Sequence, residues 1–203
     1  MKAIIFDFDG VIHDTFDFHL RNVRELFGVD IPEQDFRDIH NGRFFDLASN
    51  TLSGADWKAY RDRIRDDMSN LEIHGETRDF LLDLTKRFYL FIVSSGSTFI
   101  ITEYLKKNGV DSAFTRILGL NADGHDTKVD KFGYILQNYD LTADQCLFVT
   151  DTLGDILDAK EAGIRTIAID TGYHDRETLL IGQPHAIISK LNELHGILDS
   201  IEI

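Results

Sequence analysis

The chain has 203 residues, 43% of them apolar, with two prolines, which is enough to build a core in one domain or one domain plus a small insert and excludes a disordered chain. Its formal charge is −14, from 21 basic and 35 acidic side chains, and no Lys/Arg stripe offsets it, so neither nucleic acid nor an anionic membrane is expected as a partner. Cys146 is the only cysteine, which excludes an internal disulfide and reads as a small buried apolar residue suited to the cytoplasm.

The predicted elements alternate along the chain. KAIIFD (2–7) reads as a first strand. From residue 15 to 74 no strand is apparent; LRNVRELFG (20–28) is helical, and Trp57, Tyr60, Ile64 and Met68 recur at helical spacing. These four read as the core of the insert itself. Helix 76–86, strand 88–94 (FYLFIVS), helix 98–107, strand 115–118, helix 129–139, strand 146–151 (CLFVTD), helix 155–162 and strand 165–169 follow, and AIIS at 186–189 is a weaker sixth strand. Most strands lack apolar/polar alternation, as expected when both faces of a parallel sheet are covered. No window approaches the 18 or more apolar residues of a membrane span, and Asp7 interrupts an apolar run already too short for a signal peptide.

This rhythm predicts an α/β fold: a Rossmann-like parallel sheet between layers of helices. The roughly 60 helical residues after the first strand are too many for a plain connection. They predict a small helical subdomain over 15–74, crossing to a core of 1–14 and 75–203 near Asp14–Phe16 and Ile73–Gly75.

Ligands of such sheets bind beyond the carboxyl ends of the strands. Three polar clusters fall there: Asp7 with Asp9, Ser94-Ser95-Gly96-Ser97, and Asp151 with Thr152 and Asp155. Crowded carboxylates need a cation, and an all-oxygen set suits Mg2+ better than zinc. Asp7 is then a candidate nucleophile toward phosphorus, and Asp9, on the same side of an extended chain, a candidate proton donor and acceptor. The serine turn before a helix offers an anion site. Lys128, just before a helix, would supply a cation, and Lys131, about one turn in, is its rival.

In this order and spacing the motifs resemble the haloacid dehalogenase-like hydrolase superfamily. Asp7-Phe8-Asp9-Gly10-Val11-Ile12 is similar to its DxDG[VT] loop, Ser94-Ser95-Gly96 to its second motif, Lys128 to its third, and Thr150-Asp151-Thr152-Leu153-Gly154-Asp155 to its fourth, GDxxxD. Thr150 stands where glycine is usual, and Lys128-Val129 where Lys-Pro is common. The resemblance implies that residues 15–74 are a type-1 cap. It also implies Mg2+ held by the Asp7 side chain, the Asp9 backbone carbonyl and Asp151, with Asp155 in support. The second Asp of DxD points to the phosphatase and phosphomutase branches, which include phosphoglycolate phosphatases and β-phosphoglucomutases.

The expected reaction is Mg2+-dependent hydrolysis of a small phosphomonoester through an aspartyl phosphate. A phosphomutase, or a non-catalytic phospho-accepting or metabolite-binding protein, is the alternative. In the insert, Arg43 of Asn41-Gly42-Arg43 reads equally as a clamp for a substrate carboxylate or second phosphate and as a surface turn.

Overall fold

A computed structural model describes residues 1–40, 52, 54, 56–120, 124–125 and 127–200. In chain order it contains β1 (Ala3–Phe6), α1 (Phe16–Phe27), α2 (Glu33–Asp38), α3 (Trp57–Met68), α4 (Gly75–Leu84) and β2 (Tyr89–Ser97). Then come α5 (Thr98–Lys107), β3 (Arg116–Leu120), α6 (Lys128–Asn138), β4 (Cys146–Thr150), α7 (Leu153–Glu161), β5 (Arg165–Ile169), α8 (Arg176–Ile181), β6 (Ala186–Ile188) and α9 (Leu194–Ser200). The six strands form one sheet in the order β3-β2-β1-β4-β5-β6, and every pair is parallel. The chain winds outward from β1 to β3, then restarts beside β1 with β4, so the order reverses between β1 and β4. Crevices form at such reversals.

Successive strand residues point to opposite faces. Ile4, Phe6, Leu90, Ile92, Leu147 and Val149 pack on one side with residues of α4, α5 and α9. Ala3, Ile5, Phe91, Val93, Cys146 and Phe148 pack on the other with Phe132 and Ile135 of α6 and Ala159 of α7. Both sets are buried, which is why the strands read as unbroken apolar runs. Burial also pushes the Cys146 thiol up to about 11.

The helical stretch between β1 and α4 has a cluster of its own, built on Phe16, Leu20, Val23, Ile31, Phe36, Ile39 and Leu52. The sequence-based grouping of α3 needs correction here. Trp57 and Tyr60 pack on that cluster, but Ile64 and Met68 join Phe8, Val11 and Ile12 in the core of the sheet. Helix α3 therefore serves one cluster with each end of a single stripe, Tyr60 touching both, and packs on the core of the sheet. Helices α2, α8 and α9 were not anticipated; at six, six and seven residues they are too short to show a period. Strand β2 also runs on through Ser97, where a turn is expected, with its register shifting between Val93 and Ser97.

Candidate active site

Parallel pairing sets Phe6 beside Val149, so Asp7, one residue past Phe6, and Asp151, two past Val149, leave the sheet from adjacent strands. The Asp7 N–H donates to the Val149 carbonyl at 2.9 Å. Lys128 opens α6, fixed by Thr127, whose side chain accepts from Asp130 N while the Asp130 carboxylate accepts in return from the Thr127 backbone. Its ammonium donates to Asp7 Oδ2 and Asp155 Oδ2, each at 2.6 Å. Phe8 N donates to Asp7 Oδ1 at 2.6 Å. Thr150 is engaged as well: its hydroxyl donates to Asp155 Oδ2 at 2.9 Å, a bond glycine could not make. Thr152 caps α7 by accepting from Asp155 N.

Asp151 is fully buried. Its Oδ2 accepts from Tyr173 N at 2.7 Å. Gly10, at φ 74°, and Gly172 press against this carboxylate so closely that a methyl group on either would collide with it. Oδ1 has no hydrogen-bond partner among the described residues. Burial drives Asp7 well above the usual carboxylate range; Lys128 opposes it, and the charges of Asp155 and Asp151 add to it. Burial likewise pushes Asp151 up to about 7, helped by Asp155 and opposed by the Tyr173 N–H and Lys128. For Asp155 burial acts in the same sense, but Lys128 and its hydrogen bonds outweigh it and hold the group low.

Three buried carboxylates thus face one ammonium. An orphaned, buried carboxylate oxygen in an all-oxygen donor set fits Mg2+. Asp7, Asp151, Asp155 and the Asp9 carbonyl are the groups that could hold it. Among the described residues no three acidic, histidine or cysteine side chains are already drawn into a metal-binding group, and the Lys128 ammonium lies between Asp7 and Asp155.

Asp9 faces the helical stretch. Its Oδ1 accepts from Thr15 Oγ1 at 2.8 Å and from His19 Nε2 at 3.1 Å. Burial would raise the Asp9 carboxyl, but the His19 and Thr15 bonds win and hold it below its ordinary value. An ionised carboxylate only accepts, so His19 Nε2 carries a proton. Its Nδ1 lies 2.7 Å from the Tyr60 hydroxyl. Burial raises Tyr60 far above the ordinary phenol, Asp9 adding to it, so this hydroxyl keeps its proton.

Ser94 is buried, and its Oγ accepts from Gly96 N at 2.9 Å. The rival lysines divide the work. Lys128 meets the acids, while the buried Lys131 ammonium donates to the Ser94 carbonyl at 2.8 Å. Gly119 backs this turn: its N–H donates to Thr98 Oγ1 at 3.0 Å, and a side chain there would strike Gly96 O.

One cavity of about 140 Å3 is lined by Asp7, Asp9, Ser94, Ser95, Gly96, Lys128, Asp151 and Asp155 from the sheet side. His19, His40, Trp57, Tyr60, Arg61 and Ile64 line it from the helical side. Every sequence-predicted site residue except Arg43 lies on this cavity; Arg43 falls outside the described residues. Sequence reasoning missed His19, Tyr60 and Tyr173. Helical spacing does put His19 four residues after Thr15, on one face of α1, but nothing local marks Tyr173.

Known proteins match over nearly the whole chain. A 5'-nucleotidase from Pseudomonas aeruginosa is 25% identical, covering 97% of this chain and 95% of its own. A phosphoglycolate phosphatase from Colwellia psychrerythraea is 27% identical, covering 95% of each. In fold, a haloacid dehalogenase-like family hydrolase from Streptococcus pneumoniae superposes with a TM-score of 0.83 over 98% of both chains at 24% identity. The family model for haloacid dehalogenase-like hydrolases matches residues 4–169, a span running from β1 through β5 and taking in every acid, serine and lysine of the cavity. The chain therefore belongs to the haloacid dehalogenase-like hydrolase family.

Proposed function

We propose that this chain is a Mg2+-dependent phosphatase of small phosphomonoesters that works through an aspartyl phosphate on Asp7, with helices α1–α3 as a cap over the cleft. The observation that carries this reading is the single cavity on which Asp7, Asp9, Ser94, Lys128, Asp151 and Asp155 converge. Bound by Asp7, Asp151, Asp155 and the Asp9 carbonyl, Mg2+ would neutralise charge on the carboxylates and the phosphoryl oxygens.

In the first half-reaction an Asp7 oxygen forms a bond to phosphorus as the ester P–O bond breaks. Lys128, held charged by Asp155 and Asp7, offsets charge throughout. The Ser94 hydroxyl, whose oxygen is fixed by the Gly96 N–H, and the turn at Ser95 hold the phosphoryl oxygens. Asp9 gives its proton to the leaving oxygen. In the free protein Asp9 is held low; an incoming phosphate dianion raises it, which is the direction a proton donor needs. In the second half Asp9 takes a proton from water, whose oxygen attacks phosphorus and breaks the bond to Asp7.

The curated relatives named above are phosphatases of a nucleotide and of phosphoglycolate, so both substrates belong in the test panel. The experiment measures phosphate release from a panel of phosphorylated metabolites, with and without Mg2+. Turnover should need the metal and should vanish in Asp7→Asn with every substrate. Retained turnover in Asp7→Asn would sink the covalent mechanism.

A further inference from the structure

Tyr173 follows β5, yet its ring is buried in the cluster of the inserted helices. Its centroid lies 5.3 Å from that of Phe16 and 4.5 Å from that of His40. Its backbone N–H holds Asp151 Oδ2 at 2.7 Å. Its carbonyl accepts from Arg37 Nη1 of α2, which also donates to Gly172 O at 3.2 Å. The Arg37 guanidinium carbon sits 3.8 Å from the centroid of the Phe16 ring. Next along, His174 N donates to the Asp151 carbonyl at 3.2 Å, and His174 Nε2 donates to the Arg37 carbonyl at 3.3 Å. Peptide 172–174 therefore grips Asp151 with two bonds and is itself held by α2 with three.

The consequence is mechanical. When Oδ2 is occupied by the Tyr173 N–H, Oδ1 is left as the oxygen without a partner. If α2 lifts, the Arg37 bonds to both carbonyls break and the Tyr173 ring loses its apolar seat. Gly172 has no side chain to keep the loop in place. His174 stays tied to the Asp151 carbonyl and, through Nδ1, to Leu153 N at 2.9 Å, so what the lost seat frees is the Tyr173 N–H, and with it the Asp151 carboxylate.

We propose that Arg37 and Tyr173 form a latch through which docking of α2 presets the Asp151 carboxylate for the divalent ion. The idea rests on the Mg2+-dependent reading above. Arg37 is a positioning residue, acting through the backbone of residues 172–173. Coupling of this kind is reciprocal, so Mg2+ also strengthens docking of the helices.

The test is calorimetric titration of the full chain with MgCl2, without substrate, comparing wild type with Arg37→Met and Arg37→Lys. Loss of a supporting bond behind a metal ligand typically weakens binding at least ~10-fold. Arg37→Met should show that loss, with turnover recovering at saturating Mg2+ and the KM for substrate unchanged there. Arg37→Lys, able to reach one carbonyl, should fall between. In parallel, Mg2+ should slow proteolysis within residues 16–68 of wild type but not of Arg37→Met. Binding within about twofold of wild type in a folded Arg37→Met, even with a lowered Tm, would reduce Arg37 to a static tie and overturn the latch. If Arg37→Met does not fold, Arg37→Lys is judged by the same criterion. Wild type that binds no Mg2+ would sink the metal-dependent reading, and the latch with it.

Discussion

At the scale of single residues, the geometry of Asp151 is set by what is absent around it as much as by what is present. Gly10 adopts φ 74°, a left-handed conformation that costs a residue with a Cβ roughly 1 kcal/mol or more, and its missing side chain is the space Asp151 occupies. Gly10→Ala should therefore displace the carboxylate and cut Mg2+-dependent turnover on the order of 100-fold, the scale of a misplacement of about 1 Å. Far-UV circular dichroism and kcat together check this; an alanine variant with near wild-type kcat would contradict the packing argument. The DxDG pattern exposed Asp7, Asp9 and this glycine because all lie within four consecutive positions. It gave no hint of Gly172, whose role depends on a fold that brings the loop after β5 back over β4. The two lysines show the same limit. Spacing favoured Lys128, but only the packing of α6 reveals that Lys131 has its own task under the Ser94 turn.

At the scale of elements, the sheet was readable because each buried strand is a continuous apolar run, and the longer helices because each carries one apolar stripe. The docking of the inserted helices was not readable. Helix α3 shows a single stripe of Trp57, Tyr60, Ile64 and Met68 in sequence, and nothing in that pattern says that its two ends serve different cores. The catalytic consequence is a join between elements. Helix α1 brings His19 to Asp9, and α3 brings Tyr60 to His19, so the proposed acid/base group is oriented only when both helices are docked. His19→Asn should lower kcat on the order of 10-fold, a fraction of what general acid–base catalysis contributes, while KM moves less than about threefold because Asp7, Ser94 and Lys128 still bind the phosphoryl group. Steady-state kinetics on the best substrate decide it. A large KM change with constant kcat would make His19 a substrate contact instead.

At the scale of the whole molecule, the excess of buried negative charge links stability, pH and metal. Asp7 is raised well above the ordinary value and Asp151 to about 7. A raised folded-state pKa means the folded form holds the proton more tightly, so this contribution is fully present below the unfolded value near 3.8 and is lost as pH rises through about 7. Three histidines act in the opposite sense. Burial lowers His13, His40 (to about 3) and His174, so their contribution is present above the unfolded value of 6.5 and is lost on acidification below it. A plain melting curve against pH therefore mixes both signs. The difference made by Mg2+ separates them, because the ion, bound as proposed, would replace the protons on Asp7 and Asp151 and leave the histidine contributions common to both samples. At an ion concentration 100 times Kd, binding stabilises by about 2.7 kcal/mol. For a chain of this size that is about 5–10 °C in Tm. We expect that gain at pH 8, and under half of it at about pH 5, where the ion must compete with protons on the raised carboxyls. Scanning calorimetry at both pH values, with and without MgCl2, measures the four melting temperatures. An equal gain at both would mean that Asp7 and Asp151 are already ionised at the lower pH, and that the crowding of charge at the β1–β4 reversal is relieved by some group other than a bound divalent ion.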